Sequence, residues 1–163
     1  MIVAFNLAGF FAAHAIWSVS DGEALVPMFA YVSESGEKQM QRLVIDGDLE
    51  KSVAFGQAKL ESNESDASDG VLVYDGRIPI DDRMVDAVIV EIRSYFSLDS
   101  KAVMAVPYAL AAPGELRVFK PKLLQWEECE DFDIDRSVQS FFEGVDAHEH
   151  GAAIWNKALD QSM

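Results

Sequence analysis

Residues 71–95 read VLVYDGRIPIDDRMVDAVIVEIRSY, and this stretch decides the fold. Two strand-like runs, Val71–Tyr74 and Arg77–Ile80, flank Asp75-Gly76. Asp-Gly suits a two-residue hairpin, because both turn positions favour positive φ. Asp81-Asp82 marks a second turn. Val85–Tyr95 follows, and Ala87-Val88-Ile89-Val90 within it is apolar on both faces, as in a strand at the centre of a sheet. Strands joined by such short turns pair antiparallel.

Working outward, Ala24–Val32 reads as a strand, with Pro27 placing it at an edge or at its own start. Glu34–Glu37 is a turn, and Gln39–Ile45 alternates like a return strand. Ala102–Tyr108, Leu116–Phe119 and Leu123–Trp126 complete the strands, with Pro121 between the last two. Leu7, Phe10, Phe11, His14 and Trp17 recur at helical spacing and predict a helix over Asn6–Val19. Asp48 is a good N-cap for a second helix reaching Glu61, with Gly56 as its weak point. Val138, Phe141, Val145, His148, Ala152 and Trp155 predict a last helix, weakened by Gly144 and split at Gly151.

Ser62–Asp69 is a polar surface loop without a shift in composition, so 1–163 is expected to be a single domain. No βαβ alternation supports a parallel sheet. The expected fold is α+β: a mostly antiparallel sheet of about five to seven strands with about three helices packed on one face.

The chain carries 28 acidic against 13 basic side chains, a net charge of -15 over 163 residues, with a pI near 4.4. Half the residues are apolar, enough to build a core. Such a surface repels polyanions, which argues against nucleic acid and anionic membrane and in favour of a basic protein partner. Residues 1–20 hold no charged side chain and lack the basic n-region of a signal peptide, and Asn6 and His14 interrupt a membrane span. We read this segment as a core helix and expect a cytoplasmic protein. The lone Cys129 excludes an internal disulfide, and its neighbours Glu127, Glu128 and Glu130 oppose a thiolate.

Candidate chemistry rests on few residues. His148 and His150 lie two apart, about 200° around a helix, so they chelate one metal only if Gly151 unwinds the chain there or the pair sits in a strand. Glu149 between them is then a candidate base or ligand. His14 and His148 both lie on apolar helix faces that carry a Trp. If those faces meet, two imidazoles share one apolar site, as a proton-transfer pair or as two neutral packed rings. Asp131, Asp133 and Asp135 alternate as in the start of an EF-hand loop, but Arg136 and Phe142 replace its Gly and bidentate Glu. A solvated acidic lead into a helix N-terminus explains them better. Arg117, Lys120 and Lys122 form a basic segment suited to an anion, a partner or an acidic stretch of the same chain.

No GxSxG, P-loop, GxGxxG, HExxH or CxxC occurs, and no cofactor is expected. The leading expectation is a non-enzymatic binding protein that sequesters a basic partner, in the manner of immunity proteins against cationic toxins. The alternative is a small metal-assisted or acid/base enzyme using His14, His148 and His150 with nearby carboxylates. Homo-oligomerisation through strand edges fits either, on base rates.

Overall fold

The computed structural model describes residues 1–162. Its element order is α1 (Ile2–Ser20), β1 (Met28–Val32), β2 (Lys38–Arg42), α2 (Leu49–Ser62), β3 (Asp69–Ile80), β4 (Arg83–Ser94), β5 (Lys101–Leu110), β6 (Leu116–Val118), β7 (Lys122–Glu127), α3 (Ile134–Ala147) and α4 (Glu149–Ala158). One antiparallel sheet of seven strands runs β2-β1-β3-β4-β5-β6, and β7 pairs with the other end of β5's outer edge. The class is α+β, as expected.

The Asp75-Gly76 hairpin does not form. β3 is a continuous strand, with Asp75 opposite Val88 and Gly76 opposite Ala87. The turn falls at Asp81-Asp82 instead, with Asp81 at φ 55°. Pairing from Asp69–Ser94 to Ile80–Arg83 makes two strands of 12 residues each where the shorter hairpin would have paired four with four. It also puts Val71, Val73, Val88 and Val90 in one buried cluster under α1. Gly76 serves packing: a Cβ there would lie 2.9 Å from Ile89 Cγ1.

α1 is the spine of the main core. Ala4, Phe5, Ala8, Ala12, Ala15 and Ile16 are wholly buried among sheet residues and α3 residues. By length and apolarity α1 also meets the description of a membrane-crossing helix, with 61% of its apolar window buried inside this fold. Small residues let α3 and α4 approach it backbone to backbone. A Cβ on Gly9 would sit 1.8 Å from the Phe141 carbonyl oxygen, on Gly144 2.0 Å from that of Asn6, and on Gly151 2.4 Å from that of Ala13. The last two glycines, expected to weaken a helix, are therefore what allows the helices to cross.

The final helix does break, but at His148 rather than Gly151. α3 and α4 join α1 on one sheet face. α2 departs from the one-face expectation. It packs on the opposite face through Leu60, against Phe29, Leu43 and Leu72. Gly56 lies against that floor, where a Cβ would come 2.4 Å from Leu72 Cδ1. The Asp48 cap forms as expected, its carboxylate accepting the Lys51 N–H at 3.1 Å.

Candidate functional site

The break at His148 builds an imidazole pair. α1 presents Phe10, His14 and Trp17 along one stripe, and the α3–α4 joint brings His148 against it. His14 Nδ1 lies 3.1 Å from His148 Nε2. His148 is also the N-cap of α4, its Nδ1 accepting the Gly151 N–H at 2.9 Å. These contacts dictate the tautomers. An accepting Nδ1 places the His148 proton on Nε2, which then donates to His14 Nδ1. The His14 proton must sit on Nε2, and that atom is buried without a hydrogen-bond partner.

Rings enclose the pair. Phe10 lies 4.9 Å from His148 between centroids, and Trp17 meets His14 edge-on at 5.7 Å. Burial is the largest cause holding both imidazoles below their ordinary range. His148 and Arg42 add to it at His14, and His150 adds to it at His148. The faces that sequence spacing left unplaced do meet, and the result is a directional chain of two neutral rings.

His150 does not join them. It stacks on Trp17 at 4.9 Å, while both nitrogens of His148 are already engaged. The two histidines therefore do not chelate one ion from this joint. Glu149 is exposed in the first turn of α4. Among the described residues, no group of three or more His, Cys, Asp or Glu converges on a metal position.

Asp133 has a structural task as the N-cap of α3, its Oδ1 accepting the Arg136 N–H at 3.1 Å. Replacing Asp133 by Ala should cost about 1 kcal/mol, while Asn or Ser should cost little, since both cap well. Urea denaturation of the three variants checks this ranking. Asp131 is exposed beside it.

Arg117 is engaged within its own chain. Its Nε donates to Asp160 Oδ2 at 2.9 Å and its Nη2 donates to the same oxygen. A parallel bridge between Val118 and Leu159 lays the C-terminal segment along β6. Lys120 is exposed on a separate cleft lined by Pro121, Phe142 and Trp155. Lys122 stands on β7 opposite Ala105. Arg117 and Lys120 line different clefts. Cys129 is buried and free, its thiol donating to the Glu127 carbonyl at 3.1 Å and raised by burial.

A surface that sequence reasoning missed lies at the β4–β5 connection. Phe96 is 84% exposed and Leu98 71%. Phe96 stands on a ridge between two clefts of about 390 and 400 Å³. Met1, Ile2, Val3 and Phe132 wall the first, with Asp131, Asp133 and Arg136 also in its lining. Glu34 and Asp66 line the second. Asp69 lies in the first cleft at 2% exposure, its carboxylate accepting from Ser68 Oγ at 2.8 Å. The available signal was Phe96 and Leu98 between Tyr95 and Asp99, two large apolar side chains in a short polar connection.

In comparison with known proteins, no family matches this chain, and neither a curated protein nor a solved structure matches it.

Proposed function

We propose that this protein is a non-enzymatic binding module that captures a basic protein partner on the face around Phe96. The observation that carries this reading is Phe96 itself, 84% exposed between two clefts that both carry carboxylates. Phe96 shares these clefts with the exposed Ile2, Val3 and Leu98, and contiguous apolar surface rimmed by charge is characteristic of docking sites. A buried aromatic anchor supplies most of the binding energy at such a site. The carboxylates supply steering and selectivity: Asp131 and Asp133 on one side, Glu34 and Asp66 on the other. Over a chain of net charge -15, long-range attraction accelerates encounter with a cationic protein and falls with salt. Sequestration of a basic protein, as an immunity protein does to a cationic toxin, is the concrete form.

The test compares retention of basic proteins from a low-salt lysate by wild type, Phe96→Ala and the double variant Asp131→Asn/Asp133→Asn. Asparagine at position 133 still caps α3. A salt-sensitive basic partner should be held by wild type and weakened at least about tenfold by Phe96→Ala. The reading fails if every basic protein retained by wild type is retained equally by both variants.

A second reading, an acid/base enzyme at the imidazole pair, is favoured by the 3.1 Å contact of His14 and His148. It requires His148→Ala to lose an activity while the fold survives. The capping bond to Gly151 predicts loss of folding stability instead.

A further inference from the structure

We propose that His14 and His148 form a proton-sensitive latch that holds the α3–α4 joint against α1 only while both rings are neutral. The hydrogen bonds run one way: Gly151 N–H to His148 Nδ1, then His148 Nε2–H to His14 Nδ1. A proton added to His148 occupies Nδ1 and faces the Gly151 N–H, so the α4 cap is lost. A proton added to His14 occupies Nδ1 and faces the His148 Nε2–H. If His148 then moves its proton to Nδ1 to accept, the cap is lost again. The pair can take up a proton only by giving up the cap or the bond between the rings. Repulsion between two donors in a buried site separates the elements that carry them.

The basic neighbours of the pair oppose protonation. β2 contributes Arg42, which acts on His14, and Lys38, whose Nζ lies 4.2 Å from the Phe10 ring. α4 contributes His150, stacked on Trp17; the Glu149 carboxylate next to His148 acts the other way, but it is exposed and screened by solvent. Neither ring has a carboxylate within ion-pair distance among the described residues. Geometry and field agree with the lowered proton affinity that burial gives both rings.

A depressed imidazole binds protons less readily in the folded chain than in the unfolded one. Its contribution to stability is therefore complete above a pH of about 6.5 and is lost as pH falls through the folded value. Across that window each ring raises the unfolding constant by up to about tenfold per pH unit. Asp69 and Asp75, raised by burial, act with the opposite sign and are common to wild type and variant.

The experiment follows wild type and His14→Gln/His148→Asn from pH 7.5 to 5. The His148→Asn change keeps a side chain able to cap α4, and neither replacement titrates. In wild type, imidazole ¹⁵N shifts at pH 7.5 should show both rings protonated at Nε2. The Gly151 amide should then lose at least about tenfold in exchange protection, corrected for intrinsic rate, as one pKa unit is crossed. The unfolding constant should rise more steeply with acid in wild type than in the variant. The proposal is overturned if the rings hold other tautomers, or if they titrate while Gly151 keeps its protection. It is equally overturned if the variant keeps the wild-type pH dependence. Should the variant not fold, the tautomer and Gly151 readouts on wild type decide the matter.

Discussion

Replacing Gly144 by Ala should destabilise the protein by about 3 kcal/mol or more, at the upper end of what overpacking costs. In an exposed helix the same change would stabilise by up to about 1 kcal/mol, because alanine is the better helix former. Here the sign reverses. The new Cβ would lie 2.0 Å from the Asn6 carbonyl oxygen and 2.9 Å from the Phe10 nitrogen. Both are backbone atoms of a buried helix, so no side-chain rotation relieves the clash. α3 must move off α1, which separates the Ser140 hydroxyl from the Ile2 carbonyl it meets at 2.7 Å and disturbs Phe141 beneath. Chemical denaturation measures the effect, and a G144A variant as stable as wild type would refute the backbone-on-backbone crossing.

Phe5→Ala should cost about 3–5 kcal/mol, the range for a phenyl ring removed from a packed core. Phe5 is wholly buried in α1 and meets Trp126 of β7 edge to face at 5.8 Å between centroids. Its loss removes transferred apolar area, one aromatic contact of about 0.5–1.5 kcal/mol, and the filling of a site between a helix and a sheet that cannot collapse far. Phe96→Ala is the matched control. That ring is exposed, so its removal should leave stability within about 0.5 kcal/mol while weakening partner capture. The two variants separate a phenylalanine that builds the fold from one that the fold displays. Equal losses of stability in both would contradict the exposure of Phe96.

Sequence patterning was sufficient for the α+β class, for β4 as a central strand and for the cap at Asp48, because each depends on local periodicity or on one side chain and its own backbone. It failed where distant atoms decide. Asp75-Gly76 has ideal hairpin chemistry, yet the hydroxyl of Tyr108 donates to Asp75 at 2.8 Å and the β3–β4 register carries the strand through. Gly56, Gly144 and Gly151 read as defects from propensity alone, whereas each marks a close approach visible only once the partner element is in place. The helix break at His148 was equally hidden, since imidazole is not a usual capping group and its second nitrogen is committed 134 positions away. At the candidate sites, spacing could offer His14 and His148 as a pair but not their direction of donation. Phe96 carried no periodic signal at all.

β2 is an edge strand with all five residues exposed, the arrangement that invites a second chain to add a strand. Two copies pairing antiparallel about a two-fold axis through Met40 would set Lys38 of each opposite Arg42 of the other. Like charges facing across a strand pair destabilise it. In that fully overlapped register this rim of the sheet resists self-templating through two cations, in a chain otherwise dominated by carboxylates.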